Sequence, residues 1–132
     1  MEKRSRVESD EHMALIAMMF THFQNLGYRN IKADLDGYDR PDFVTDYAEN
    51  RYIPDLTCNK NDSYGTFIAL EAETCSTINS NHTAGQWRAF ANAQGEFHLA
   101  VPTMCGTESG RSKAQRRLNE LRITADAIWT PK

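Results

Sequence analysis

Tyr52-Ile53-Pro54-Asp55-Leu56-Thr57-Cys58, the polar run Asn59-Lys60-Asn61-Asp62-Ser63-Tyr64-Gly65, and Thr66-Phe67-Ile68-Ala69-Leu70-Glu71-Ala72-Glu73 form the stretch that decides the fold. Its two ends read as strands, being short, apolar and rich in β-branched or aromatic residues. The segment between them reads as a turn, because Asn, Asp, Ser and Gly tolerate tight backbone geometry. Folding this hairpin about Ser63 sets Asp55 opposite Glu71, since the two lie equally far from it. Residues directly opposed in an antiparallel pair have Cβ atoms roughly 4.5–5.5 Å apart. Alternation returns Glu73 to the face of Glu71. Three carboxylates then converge on one side of a small sheet, which is self-repelling without a counter-ion and so points to a metal site. The plain alternative is a surface hairpin whose acids face water.

Alternation supports this register. Ile68, Leu70 and Ala72 fall on one face, and Phe67, Ala69, Glu71 and Glu73 on the other. Apolar residues on both faces mark a strand covered on both sides, with acids breaking into one side near its end.

The chain has 132 residues, 40% of them hydrophobic and 25% charged, and a net charge of −3. That is one globular domain, residues 1–132, able to bury a substantial core. No apolar run approaches the roughly 18 residues that cross a bilayer, so no membrane partner is expected. The charged start, Met1-Glu2-Lys3-Arg4-Ser5-Arg6, does not read as a signal peptide. Cys58, Cys75 and Cys105 are odd in number and form no C-x-x-C pair, so three free thiols and a reducing cytoplasm are expected. Residues 34–73 hold ten acids against three basic residues, whereas Arg111, Lys113, Arg116, Arg117 and Arg122 cluster near the C-terminus. An acidic centre with a basic flank suits an enzyme that binds a divalent metal and a phosphate backbone. It also describes any protein with uneven surface charge.

A helix is expected from about Val7 to Leu26, with Ser9 as a cap and Leu15, Ile16, Met19, Phe23 and Leu26 as its inward stripe. Glu8 and His12 project onto that stripe and Glu11 onto its edge. Asn30–Leu35 reads as a strand, and residues 36–51 as irregular. Arg40-Pro41-Asp42 offers a second Pro-Asp, but Asp55 is preferred because its strand pairs with Glu71. After Glu73 come a polar link, a helix over Thr83–Gln94 and a strand over Phe97–Pro102. A basic helix over Ser112–Arg122 and a short strand at Ala127–Trp129 complete the chain. The order is α-β-β-β-α-β-α-β: a meander of three strands, then two parallel strands added by helical crossovers.

Pro54-Asp55, fifteen intervening residues and then Glu71-Ala72-Glu73 resemble the PD-(D/E)xK nuclease superfamily, in the E-x-E form of some restriction endonucleases. Gln86 followed by Phe90 resembles the Q-x-x-x-Y/F motif of its exonuclease-like branch. Glu73-Thr74-Cys75, His82-Thr83, Gln86-Trp87 and Val101-Pro102 look like a prokaryotic group within that superfamily. The resemblance implies a restriction endonuclease-like three-layer α/β/α domain with a central mixed sheet, and a nuclease that hydrolyses phosphodiester bonds of DNA. Asp55, Glu71 and Glu73 are then the ligands of Mg²⁺ or Mn²⁺, and Gln86 orients the water or a phosphate. The same family places an acid on the first helix near the metal, a role for Glu8 or Glu11. Arg111, Lys113, Arg116 and Arg117, with Lys60, are candidate contacts to the nucleic acid.

This chain departs from that pattern where Glu73 replaces the usual lysine. A carboxylate cannot donate as an ammonium does. It can ligate metal or take a proton, and Lys60 or His12 is the candidate replacement for the missing cation. The alternative is a relative without catalysis, retained as a nucleic-acid-binding or protein-interaction module. Because no dedicated base-reading module is present, a structure-selective or non-specific enzyme is expected. At this size a homodimer and the catalytic part of something larger are the alternatives.

Overall fold

The computed structural model describes residues 6–132. Helix α1, Arg6–Asn25, buries Leu15, Ile16, Met19 and Phe23 at helical spacing. Because the helix is already formed at Arg6, Ser9 lies inside it and is not its cap. Gly27, at φ 79°, ends the element, and Leu26 sits in that turn, 44% exposed, instead of completing the stripe.

Strand β1, Arg29–Ala33, follows. The segment expected to be irregular contains a small hairpin, β2 at Val44–Thr45 and β3 at Arg51–Tyr52, which forms a two-stranded sheet of its own. Tyr52 therefore does not share a strand with Leu56. Pro54 has no N–H to give a ladder, and the chain passes from one sheet to the next across it. Strand β4, Leu56–Asn59, and strand β5, Phe67–Ala72, then pair antiparallel with Leu56 opposite Leu70 and Thr57 opposite Ala69. The register is centred on Ser63, as the symmetry of the polar loop predicts.

Helix α2, Asn81–Asn92, is capped by Ser80, whose side chain accepts from the His82 N–H. Strand β6, Glu96–Ala100, runs parallel to β5. Gly95, at φ 104°, makes the turn between α2 and β6, and a Cβ there would lie 2.2 Å from Phe67 O. Two more short strands that the sequence reading missed, β7 at Met104–Cys105 and β8 at Glu108–Ser109, pair about Gly106. Helix α3, Gly110–Leu121, is capped by Ser109, and strand β9, Ala127–Trp129, lies parallel to β6.

The five-stranded sheet has the order β1-β4-β5-β6-β9, so the antiparallel meander and the two parallel additions are both present. Its two faces carry separate cores. Leu15, Ile16, Met19 and Phe23 of α1 pack on Leu56, Cys58, Ile68, Leu70 and Ala72. Trp87 and Phe90 of α2, with Ala114 and Leu118 of α3, pack on Ala69, Phe97, Leu99 and Ile128. The alternation along β5 thus sorts its side chains between α1 and the α2/α3 pair. Full burial of each large side chain contributes about 1.5–3 kcal/mol, so both layers are held firmly against the central strand. The described residues make a mixed α/β fold, with three helices around a central mixed sheet.

Cysteine usage differs from expectation. Cys75 and Cys105 are joined in a disulfide, and Cys58 alone is a free, buried thiol. The pair is 30 residues apart in sequence, brought together because the turn after β5 and the β7–β8 hairpin meet at one end of the sheet. The three-thiol reading fails, and with it the cysteine argument for a reducing compartment. Among the described residues, no helix is long and apolar enough to cross a membrane.

Candidate functional site

Asp55 stands one residue before β4, where the next rung of the β4–β5 ladder would fall. Side-chain bonds take over from the ladder there. The Asp55 N–H donates to Glu71 Oε1 at 3.0 Å, and Asp55 Oδ2 accepts from the Ala72 N–H at 2.9 Å. The Asp55 carbonyl accepts from the Asp34 N–H at 2.9 Å, which ties the residue to the end of β1 as well. Hydrogen bonds to a charged group contribute about 1.5–3 kcal/mol each. Asp55 and Glu71 are therefore held side by side in a fixed relation, with Glu71 4% exposed.

Helix α1 brings two more groups to this end of the sheet. His12 Nε2 lies 3.1 Å from Asp55 Oδ2, with both side chains 14% exposed. One turn earlier, Glu8 Oε2 accepts from the Thr74 hydroxyl at 3.1 Å and from Ser76 Oγ. The inward projection of Glu8 and His12 is thereby realised. Glu11 is exposed and lines a groove with Pro102 and Met104.

Glu73 is 2% exposed and held differently from Glu71. Its Oε1 accepts from Thr77 Oγ1 at 2.8 Å and its Oε2 from Trp87 Nε1 at 3.0 Å. The turn supplying these hydroxyls is itself anchored, since Thr83 Oγ1 donates to Thr77 O at 2.7 Å. Trp87 takes the place on α2 for which Gln86 was a candidate: half-buried Gln86 forms no hydrogen bond to the acids among the described residues. The polar link Thr74–Thr77 and Trp87 are the site residues the sequence reading passed over. A run of hydroxyls directly after two buried acids was the available signal.

The donor chemistry suits a hard cation only in part. Asp55 and Glu71 present carboxylates from adjacent positions, and Asp55 Oδ1 makes no hydrogen bond among the described residues. Mg²⁺ commonly takes one or two protein carboxylates and keeps water or phosphate for the rest. Glu73 bonds to Thr77 and Trp87, and among the described residues no group of three or more His, Cys, Asp or Glu is arranged to hold an ion.

The basic candidates lie elsewhere. Lys60 pairs with Glu96 at the far end of β4, five residues and roughly 17 Å of extended chain from Asp55. It cannot replace the missing lysine at the acids; His12 has the placement to do so. On α3, Arg116 is gripped by both oxygens of Glu108 at 2.7 and 3.0 Å. Arg117 reaches Glu120 at 3.4 Å, and Lys113 Nζ donates to Cys75 O at 2.7 Å. Arg111 is exposed. Four of the five basic residues expected on the nucleic acid thus already have partners within the fold. No family model, no curated protein and no solved structure matches the chain.

Proposed function

We propose that the chain is a metal-dependent nuclease of the PD-(D/E)xK superfamily, with the restriction endonuclease-like fold, acting on DNA. The observation that carries this reading is the Asp55–Glu71 pair, fixed by the reciprocal bonds Asp55 N–H to Glu71 Oε1 and Ala72 N–H to Asp55 Oδ2. The element order and the change from antiparallel to parallel pairing at β5 support the fold assignment.

In this reading Asp55 and Glu71 hold Mg²⁺ or Mn²⁺. Such an ion, when bound, acidifies water, aligns it for in-line attack and neutralises phosphoryl charge. The rest of the work belongs to the chain. His12 orients Asp55 through Oδ2 and brings a ring nitrogen to the site in place of the family's lysine. Glu73, engaged by Trp87 and Thr77, braces the end of β5, so Glu71 keeps its position. The test is plasmid nicking with Mg²⁺ or Mn²⁺ by the wild type, Asp55→Ala and Glu71→Ala, with circular dichroism as the folding control. Loss of nicking in both folded variants is expected. Equal cleavage by either variant, or by wild type in excess chelator, overturns the reading.

A second reading, a non-catalytic nucleic-acid-binding or protein-interaction module on the same fold, is favoured by one observation. Glu73 is committed to Trp87 and Thr77 and does not complete a three-acid group. Calorimetric titration with Mn²⁺ decides: absence of binding that depends on Asp55 supports the module.

A further inference from the structure

The β2–β3 hairpin turns apolar side chains outward. Tyr47 at its tip is 93% exposed, and Phe43 and Ile53 on either side are 53% and 56% exposed. Between this hairpin and α2 lies a pocket of about 370 Å³, lined among others by Tyr47, Tyr52, Gly85, Arg88 and Asn92. That is the size of a small-ligand site.

The walls differ in rigidity. Tyr52 is half-buried and meets the Phe90 ring edge-on at 6.4 Å, so it forms a fixed floor. Gly85 lies on the α2 wall close to Tyr52, where a Cβ would stand 3.6 Å from Tyr52 Oη. Asp46 also borders the pocket, where it keeps its negative charge while its oxygens brace the hairpin tip through neutral donors. Oδ1 accepts the N–H groups of Ala48 and Asn50, and Oδ2 accepts the Asn50 amide. The pocket thus carries one charge of each sign, and its cation is Arg88, which is exposed and forms no ion pair among the described residues. Arg51 lies over the Phe43 ring at 4.6 Å.

An exposed ring, an amide and a guanidinium match the face of a nucleobase, its polar edge and the adjoining phosphate. The hairpin wall leads back to the acids along the chain. Tyr52 is three residues from Asp55, at most roughly 11 Å of extended chain. Inside a duplex both faces of a base are covered by its neighbours, so only an unpaired base can offer a face to Tyr47. We propose that this pocket holds one unpaired base of single-stranded DNA beside the acid site. The assignment of substrate class rests on the nuclease reading, whereas the binding itself does not.

Fluorescence anisotropy with labelled oligothymidine, the same strand in duplex and oligouridine, all in EDTA, tests this without cleavage. The wild type is expected to bind oligothymidine more tightly than the duplex or the RNA. Tyr47→Ala should weaken that binding roughly tenfold and Tyr47→Phe leave it near wild type, since stacking needs the ring and not the hydroxyl. Arg88→Ala should flatten the logarithmic salt slope by about 0.7, the loss of one phosphate contact to a single strand. Tyr47 is almost wholly in solvent, so its replacement leaves the fold intact. Equal affinity for duplex, unchanged binding by Tyr47→Ala, or preference for oligouridine overturns the proposal. Asp55→Ala should bind oligothymidine as the wild type does. If that variant still nicks plasmid while the Tyr47 result holds, the nuclease reading falls and the base pocket stands.

Discussion

The indole Nε1 of Trp87 donates to Glu73 Oε2 across 3.0 Å, joining a residue of 0% exposure to one of 2%. A buried carboxylate depends on every donor it has, because each lost bond leaves desolvation uncompensated by about 1–3 kcal/mol. Trp87→Phe keeps an aromatic ring against Phe97 but removes the N–H and some volume. The expected loss in unfolding free energy is about 2–3 kcal/mol, read from urea titration. An unmoved midpoint would show that the bond does not stabilise the fold. Glu73→Gln retains a carbonyl oxygen for the indole and should lose less than Trp87→Phe.

His98 should make the protein acid-sensitive. Burial pushes its imidazole below the ordinary value of 6.5, against the opposing pull of Glu96. The geometry agrees: Nδ1 accepts from Trp129 Nε1 at 2.9 Å, which leaves the proton on Nε2, 2.8 Å from Glu96 Oε1. A second proton at Nδ1 would face the indole N–H. With a folded pKa below the unfolded one, the unfolded chain binds the proton first. Stability is therefore full above about 6.5 and falls as pH drops from there toward the folded value. Melting temperature should decline through that window, and His98→Gln, which cannot titrate, should flatten the decline. A wild-type curve as flat as the variant's would refute this account.

Cysteine accessibility gives a third test. The Cys58 thiol is pushed up to about 12, chiefly by burial and then by Glu96, so it is neither exposed nor ionised at neutral pH. Native protein should take no alkyl group from iodoacetamide. Reduction should expose Cys75 and Cys105 to labelling, and reduction with unfolding should add Cys58. Opening the Cys75–Cys105 link should cost about 2–5 kcal/mol, the usual loss for a native disulfide in a small domain. Mass spectrometry counts the labels and urea titration measures the cost. Labelling at Cys75 without reductant would remove the bond.

The hairpin carrying Asp55 and Glu71 was readable from the chain because two independent signals coincided. Apolar alternation assigned faces to Ile68, Leu70 and Ala72, and the polar loop was symmetric about Ser63. Helix α1 was readable for the same reason: its stripe, extended backward, predicted where Glu8 and His12 would point. What stayed hidden depended on partners far along the chain. Alternation did place Glu73 on the α2/α3 side, yet nothing local revealed that an indole from α2 would meet it there. The Cys75–Cys105 pairing spans 30 residues without a spacing motif. Residues 44–52 carry too few apolar positions to announce β2 and β3. The basic run on α3 was visible as charge, but its partners Glu108 and Cys75 O come from elements placed beside it only by the fold.

Gly110 bears the last prediction, because α3 enters its packed position through it. A Cβ on this residue would lie 1.8 Å from Pro102 O and 3.3 Å from a Val101 methyl, and the Gly110 N–H donates to Thr103 O at 3.0 Å. The obstruction is backbone, which cannot rotate aside as a long side chain can, so Gly110→Ala must push the start of α3 away from the end of β6. Overpacking of this kind costs about 1–3 kcal/mol, occasionally more, and the upper end is expected here. The displacement should extend beyond stability, since Lys113 on the same first turns donates to Cys75 O, and Cys75 is two residues past Glu73. Urea titration should show the loss, and amide exchange should show faster opening at residues 74–77 than in the wild type. Wild-type stability in Gly110→Ala would mean that α3 does not approach Pro102 this closely.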